Sequence, residues 1–270
     1  MAYPTPPSSD DAYRERYVAF LDILGFSELT RRAHDDPAWR NYLREAIATL
    51  KSTLPAQMDS EGFRFVQFSD SIVISAHRTA MGLFMVMNGC RLLSRNMLSR
   101  GVLLRGGVSV GYFHHDEELM FGPALLDAYA FEQQGGPPHI SLQREVEKEI
   151  SILLGSHVSD RLVRQDPWDL SPMLHVLDEF ENYDAIPRAG GEVLDREAIR
   201  LAERITVNAT DMETPAGIRA KWRWLQDYWN RSIDARGVLA RAQPTDWEKL
   251  RATTHEATLN RLALANRRDS

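Results

Sequence analysis

Asp22 is the first residue of the chain whose type and surroundings could support chemistry. It lies in the run YVAFLDILGF at residues 17–26, in which seven of the first eight residues are apolar or aromatic. A short apolar run of this kind predicts a strand buried on both faces, and Gly25 predicts a sharp turn at its end. A carboxylate in such a strand is costly unless a metal ion, a cation or several donors meet it. The alternative is that Asp22 caps the helix that follows.

Asp70 is the second acidic residue in a comparable position. Residues 63–68 and 71–75 are two β-branched and aromatic runs separated only by Ser69 and Asp70, which predicts a tight hairpin with Asp70 at its tip. In a ferredoxin-like sheet the first strand lies beside the first hairpin. We therefore expect Asp22 and Asp70 at the same edge of the sheet.

A pair of neighbouring carboxylates predicts a divalent metal site. Two carboxylates within about 4–6 Å repel each other unless a cation neutralises both. Magnesium or manganese is commonly held by one or two carboxylates and substrate phosphates, and two ions can activate a hydroxyl and stabilise a leaving pyrophosphate. Backbone N–H groups at residues 25–27, where a helix starts, would bind phosphate oxygens. The alternative is two unrelated surface aspartates.

The composition of the 270-residue chain is that of an ordinary globular protein, with 43% apolar and 26% charged residues. Its net charge of −6 argues against nucleic acid or an anionic membrane as the main partner. The single cysteine, Cys90, excludes an internal disulfide and is expected in the core. No run approaches 18 apolar residues, and residues 1–12 are typical of a disordered tail, so we expect a cytoplasmic protein without a membrane partner.

Hydrophobic periodicity and turn residues predict an α+β fold of the ferredoxin-like type, with its helices on one face of the sheet. Gly106 and Gly107, inside the third long strand, predict a bulge or a close approach to the backbone. We expect this domain at residues 13–190 and a helical C-terminal extension at residues 191–270, in which Trp222, Leu225 and Trp229 share one helix face. The predicted elements are helices at 26–33, 37–54, 79–99, 122–134 and 143–154, strands at 17–24, 63–68, 71–75, 102–113, 117–121 and 139–142, and a strand pair within 173–186.

Four segments resemble the class III nucleotidyl cyclases. FLDILGF at residues 20–26 resembles their first metal-binding motif, and FSDS at residues 68–71 is similar to the hairpin with their second metal-binding aspartate. LRGGVSVG at residues 104–111 resembles their Arg-Ile-Gly-Ile strand, and residues 121–132 follow their helix after the last hairpin. Each motif is weak alone, but together they occur in the family's order over about half of the chain.

This resemblance implies roles for individual residues. Asp22 and Asp70 would bind two manganese or magnesium ions, and the carbonyl of Ile23 would complete one coordination shell. Triphosphate and sugar would lie against residues 20–26, which include Phe20, Gly25 and Phe26. The other candidate nucleotide-binding residues are Arg64, Arg105 and Tyr129.

Two of these candidates have a second interpretation. Arg105 would contact phosphate or stabilise transition-state charge, or else form a surface ion pair beside its strand. Tyr129 would stack on or bond to a pyrimidine, or else face the core of the domain. Arg64, on the first strand of the hairpin, is the weaker of the two arginine candidates.

The chain departs from the usual adenylate and guanylate cyclases at the residues that select the base and stabilise the transition state. Leu126 and Ala130 occupy the positions of their helix Asn and Arg, and Val66 and Leu119 lie near the positions of their base-reading Lys and Asp. This combination resembles the pyrimidine cyclases of the Pycsar antiphage system. That resemblance implies a homodimer with sites at its interface that converts UTP, or CTP, into a cyclic monophosphate, which activates a separate effector protein.

Other interpretations stay open. Loss of the helix Asn and Arg would also fit a catalytically silent cyclase-like module. A diguanylate cyclase would carry a Gly-Gly-Asp/Glu-Glu-Phe hairpin where this chain has FSDS, and a polymerase palm would need a basic surface. His114 and His115, beside Asp116, could bind zinc, but neighbouring strand residues point to opposite sides, so we favour a solvated hairpin turn there.

Overall fold

The computed structural model describes residues 13–54, 57–58, 60–181 and 191–232. Within these ranges the chain forms two compact units. The first unit contains the described chain up to Gln165 together with Leu170–His175. The second contains Asp166–Asp169 and the described chain from Val176 onwards.

The first unit contains a mixed sheet and several helices. This architecture agrees with the predicted α+β class. Its strands are β1 (Tyr13–Ile23), β2 (Gln57–Met58), β3 (Phe63–Phe68), β4 (Ser71–His77), β5 (Leu104–His115), β6 (Met120–Phe121), β7 (Ile140–Leu142), β8 (Val163–Gln165) and β9 (Pro172–Leu174). They lie in the order β2–β3–β4–β1–β5–β7–β9–β8, and β6 pairs with the end of β5. Among the described pairings, only that between β5 and β7 is parallel.

The first five helices of this unit follow the predicted order, and the sixth was not predicted. They are α1 (Phe26–Asp35), α2 (Pro37–Thr53), α3 (Ala80–Ser99), α4 (Pro123–Gln133), α5 (Arg144–Glu149), which continues as a π-helical turn at Ile150–Leu154, and α6 (Ser156–Leu162). Asp36 caps α2, because its carboxylate accepts from the amide of Ala38 at 2.7 Å. Thr79 caps α3 in the same way through the amide of Gly82 at 3.0 Å. No helix in the described part of the chain is long and apolar enough to cross a membrane.

Helices cover both faces of the central strands, so the prediction that they lie on one face is wrong. The side chain of Ile74 lies against α3, whereas the hydroxyl of Ser109 donates to a main-chain carbonyl of α4 at 2.5 Å. Ile74 pairs with Ala19 and Ser109 pairs with Val18, and neighbouring residues of one strand point to opposite faces. Helical periodicity predicts that a helix packs on a sheet, but it does not say on which face.

Gly106 and Gly107 allow close packing rather than a bulge. The β1–β5 register runs through both glycines without interruption. A Cβ on Gly106 would lie 1.9 Å from the carbonyl oxygen of Phe20, and one on Gly107 would lie 2.4 Å from the ring of Phe131 in α4. The predicted close approach is therefore confirmed, and what approaches is the neighbouring strand and α4.

Several other predictions are confirmed. The hairpin of β3 and β4 turns at Ser69 and Asp70, and the fully buried Cys90 fills the core.

The predicted last strand pair is placed wrongly, because β9 pairs with β8 and Asp178–Glu181 is helical. Residues 182–186, which belonged to that prediction, lie outside the described residues. Strand β8 was missed because its three residues carry no alternating apolar pattern.

The second unit contains α7 (Asp178–Glu181), α8 (Gly191–Thr210) and α9 (Ala216–Ser232). Trp222, Leu225 and Trp229 of α9 are all buried, as predicted. The indole N–H of Trp224 donates to the buried carboxylate of Asp166 at 2.9 Å. The remaining parts of the predicted extension, residues 233–270, and the predicted tail, residues 1–12, lie outside the described ranges.

Candidate active site

Asp22 and Asp70 lie beside each other at the end of the central strand. Asp22 pairs with Ser71 across the β1–β4 ladder, and the amide of Ile23 donates to the carbonyl of Asp70 at 3.0 Å. Residues directly opposite each other in an antiparallel ladder have Cα atoms about 4.5–5.5 Å apart. The sheet therefore brings the two predicted metal-binding aspartates together from positions far apart in the sequence.

The tight hairpin turn places Asp70. Ser69 adopts a left-handed conformation with φ of 55°, which reverses the chain within two residues. The side-chain amide of Gln67 donates to the carbonyl of Ser69 and holds this turn from inside the hairpin. Asp70 itself is partly exposed, so its carboxylate remains accessible to a ligand.

A second turn joins β1 to α1 next to the aspartates. Gly25 has φ of +78°, which favours glycine, and no atom lies within 4 Å of the place where its Cβ would be. Leu24 donates to the carbonyl of Leu103 at 2.9 Å, and the carbonyl of Gly25 accepts the first helical bond, from Leu29 at 3.0 Å. The first amides of α1, which begins at Phe26, have no carbonyl partner within the helix. The predicted phosphate-binding turn therefore has open space and unused donors of the right kind.

Arg105 lies directly across from Asp22 on β5. Its guanidinium donates to the carboxylate of Glu132 in α4, and the two side chains are only 14% and 10% exposed. The other oxygen of Glu132 accepts from Gln133 at 2.6 Å. The alternative prediction, an ion pair at Arg105, is therefore confirmed, but the pair is buried and not on the surface. It ties α4 to the strand position opposite Asp22.

Phe20 and Tyr129 form an aromatic pair near the aspartates. Their ring centroids are 5.0 Å apart in an edge-to-face arrangement, and Phe20 is two residues before Asp22 on the same face of β1. Phe20 packs against a buried apolar cluster that includes Val18 and Phe113. Tyr129 is 41% exposed, so it does not face the core and its ring is available to a ligand.

Arg64 is the predicted site residue that the fold does not bring to the aspartates. It pairs with Ser75 on β4, whereas Asp22 pairs with Ser71, four residues earlier on that strand. Four strand residues span about 13 Å. Within one chain, Arg64 therefore does not lie beside the two aspartates.

The donor chemistry at the aspartates fits magnesium or manganese. Asp22, Asp70 and the carbonyl of Ile23 would supply oxygen ligands only, which these hard cations prefer. No group of three or more His, Cys, Asp or Glu side chains that could hold a metal occurs in the described ranges. Water and substrate phosphates would have to complete the coordination, as is usual for magnesium.

The solvated histidine turn predicted at residues 114–116 is wrong, because β5 runs through both histidines. His114 and His115 are only 6% and 4% exposed. His114 bonds to the carboxylate of Asp116 at 2.8 Å, and His115 bonds to the hydroxyl of Ser75 at 2.8 Å. The two imidazoles therefore have separate partners, and both are buried.

Sequence reasoning missed a buried polar group at the other end of the sheet. Arg16, Ser75 and His115 are linked by hydrogen bonds and almost completely buried. The logic that singled out Asp22, a polar side chain in a buried strand, applies equally to Arg16 and could have found this group.

No protein-family model matches the chain, and no curated protein sequence matches it.

Proposed function

We propose that this protein is a metal-dependent nucleotidyl cyclase that converts UTP into 3′,5′-cyclic UMP and pyrophosphate. The observation that carries the proposal is the apposition of Asp22 and Asp70 beside the open glycine turn that starts α1. CTP, with cyclic CMP as the product, is the alternative substrate, because no residue at the site distinguishes the two pyrimidines.

The topology around the site supports a class III cyclase domain. Strands β3, β4, β1 and β5 lie side by side in that order and are antiparallel throughout. Helices α1 and α2 connect β1 to the hairpin, and α3 connects the hairpin to β5. This strand order and these connections support a ferredoxin-like domain.

The reaction forms a bond between the 3′-oxygen and the α-phosphorus and breaks the bond to the pyrophosphate oxygen, with release of one proton. Divalent ions, when bound, would activate the 3′-hydroxyl and neutralise the leaving pyrophosphate. The carboxylates of Asp22 and Asp70 and the carbonyl of Ile23 would hold them. Amides at the start of α1 would bind the terminal phosphate oxygens, because the positive end of the helix dipole favours anions.

Two neighbouring residues would complete the protein's part in the reaction. Tyr129 presents a partly exposed ring beside Phe20, which supports stacking on a pyrimidine. Arg105 carries its charge directly opposite Asp22, which supports a role in positioning or stabilising phosphate charge. Its bond to Glu132 would keep the guanidinium in place.

We further propose that the enzyme acts as a homodimer and that its product is a second messenger in antiphage defence, which reaches a separate effector. The homodimer is supported by the resemblance of the motifs at residues 20–26 and 68–71 to those of cyclases whose sites lie at a dimer interface. The messenger role is supported by the resemblance of the four motifs to the Pycsar cyclases.

A catalytically silent cyclase-like module is the second candidate function. Leu126 is 68% exposed on α4, and Ala130 is exposed on the same helix. An exposed leucine and alanine in place of the family's Asn and Arg favour this candidate, because neither side chain can contact phosphate or ribose by hydrogen bonds.

The deciding experiment is incubation of the purified protein with manganese and each of the four ribonucleoside triphosphates, followed by mass spectrometry. We expect cyclic UMP, and Asp22→Ala and Asp70→Ala should abolish it while circular dichroism and chromatography stay unchanged. Asp160→Ala, at an exposed position of α6, is the matched control and should keep full activity. Retained activity in either aspartate variant would remove the metal assignment, and no cyclic product from any triphosphate would favour the silent module.

A further inference from the structure

A second group of polar residues, here called the donor cluster, lies at the opposite end of the sheet from Asp70. It consists of Arg16 on β1, Arg64 on β3, Ser75 on β4 and His115 on β5. Arg16, Ser75 and His115 are 3%, 0% and 4% exposed, and Arg64 is partly exposed. Buried polar atoms in native proteins nearly always have partners, so any unpaired atom in this cluster requires an explanation.

The hydrogen bonds define the protonation of His115. Arg16 donates from Nε to the hydroxyl of Ser75 at 3.1 Å, and that hydroxyl lies 2.8 Å from Nδ1 of His115. Because Ser75 accepts from a guanidinium, its own proton is directed to Nδ1, and the ring proton must then be on Nε2. Burial and the charges of Arg16 and Arg64 lower the pKa of His115 to about 4, which keeps the ring neutral at pH 7. This Nε2–H donor is buried and has no partner among the described residues.

Arg64 adds a second buried donor without a partner. It donates from Nη1 to the carbonyl of Phe63 at 3.0 Å, but its Nε is buried and unpaired within the described chain. Burial and the nearby charges of Arg64 and Arg14 lower the pKa of Arg16 to about 10, which shows that positive charge accumulates here. The carboxylate acting on His115, that of Asp116, is already bonded to His114 and to two main-chain amides. The cluster therefore combines excess positive charge with unused donors.

We propose that the donor cluster binds a phosphate group. Arg64 and neutral His115 offer only hydrogen-bond donors at their unpaired atoms. Arg16, which donates to Ser75 and to the carbonyl of Gly62, adds positive charge, so the matching ligand is an anion with several acceptor oxygens. Phosphate supplies three or more such oxygens and up to two charges, whereas a carboxylate supplies one charge. Arg64 is the partly exposed member, so a ligand would reach the cluster from its side.

This phosphate site is distinct from the proposed catalytic site of the same chain and goes beyond the proposed function. Arg16 and Asp22 are six residues apart on β1, which corresponds to about 20 Å of extended strand. The donors themselves meet at Ser75, which is four residues, or about 13 Å, along β4 from Ser71, the partner of Asp22. The phosphate chain of one nucleotide is shorter than this, so it does not reach both sites within one chain. The site therefore holds a second phosphate-bearing molecule, or a phosphate group presented from outside the chain.

The test measures binding of inorganic phosphate and of UMP by calorimetry, with EDTA present and ionic strength held constant with chloride. We expect saturable binding of at least one probe and a shift of the His115 Nε2–H signal in NMR spectra. Arg64→Gln should weaken binding at least tenfold, because it removes a charge-assisted donor at a partly exposed position where folding is preserved. Arg31→Gln, at a side chain that is 78% exposed on α1, is the matched control and should bind normally.

The outcomes separate this site from the proposed catalytic site. The Asp22→Ala/Asp70→Ala variant should bind phosphate as the wild type does, even though cyclisation is lost. Tighter phosphate binding in that variant would assign the anion to the turn before α1, because removal of two carboxylates there reduces the repulsion of an anion, and would overturn the proposal. Absence of saturable binding by either probe, or equal binding by Arg64→Gln and the wild type, would overturn it as well.

Discussion

The main-chain amide of Ile23 donates a hydrogen bond to the carbonyl of Asp70 at 3.0 Å. This bond joins the end of β1 to the turn of the β3–β4 hairpin, so it places Asp22 beside Asp70. Because the bond uses only main-chain atoms, substitution of either aspartate side chain leaves it in place. Side-chain variants at these two positions therefore test chemistry separately from folding.

Manganese is expected to raise the melting temperature of the wild-type protein through Asp22 and Asp70. A ligand at one hundred times its Kd stabilises a protein by about 2.7 kcal/mol. Asp70→Asn should lose this stabilisation because it removes a charged oxygen ligand. Thermal unfolding with and without manganese measures the effect, with Asp160→Asn as a surface control, and addition of EDTA should reverse the shift. Equal stabilisation of Asp70→Asn and the wild type would contradict the metal site.

Glu132→Gln is expected to destabilise the protein by about 3–5 kcal/mol, because it leaves the charge of Arg105 buried without its partner. Replacing both residues, as Arg105→Met with Glu132→Leu, should recover most of that loss, since a well-packed apolar pair avoids the cost of burying charge. Urea unfolding measures the free energy of unfolding of the wild type, of Glu132→Gln and of the double variant.

The same double variant separates the two roles of Arg105. We expect it to be folded but inactive, because the charge opposite Asp22 is gone. A stable double variant with wild-type activity would show that the pair acts only in folding.

Gly107→Ala is expected to cost about 1–3 kcal/mol by overpacking. The new Cβ would lie 2.4 Å from the ring of Phe131, so α4 would have to move away from β5. Gly111→Ala on the same strand is the control, because its Cβ would make only an ordinary contact of 3.5 Å with Ala124. Chemical unfolding compares the two variants, and equal stabilities would mean that α4 is not packed as tightly as the 2.4 Å approach requires.

His115 is expected to make the protein less stable as the pH falls from 6.5 toward 4. Its pKa is lowered from 6.5 to about 4, chiefly by burial, so the unfolded chain binds a proton in this range and the folded chain does not. Protonation then favours unfolding, and the loss from this residue is at most about 3 kcal/mol.

The measurement for His115 is the free energy of unfolding at several pH values for the wild type and for His115→Gln. The variant should be less stable at pH 7, because Ser75 loses one of its two partners, but its stability should fall less steeply with acid. His77, whose pKa is also lowered by burial, remains in both proteins and contributes equally to each curve. Parallel pH profiles would show that His115 titrates normally.

Local sequence patterns predicted most of the elements and both aspartates. The hairpin at Ser69 and Asp70 and the buried face of α9 follow from turn chemistry and periodicity, which act over a few residues. The same patterns wrongly predicted a solvated turn at His114 and His115, because the length of β5 depends on its partner strands. They also could not decide whether Arg105 is exposed, since its partner Glu132 is 27 residues away.

By itself, the sequence determined that Asp22 would lie near the end of the first buried strand and that Asp70 would lie at the tip of the first hairpin. It also determined that a turn at Gly25 would follow Asp22. Only the tertiary structure decided that Asp22 pairs next to Asp70, that α4 lies on the opposite face from α3, and that Arg16, Ser75 and His115 meet inside the protein. The physical reason is that strand residues alternate between faces, whereas register and the order of strands depend on contacts between distant segments.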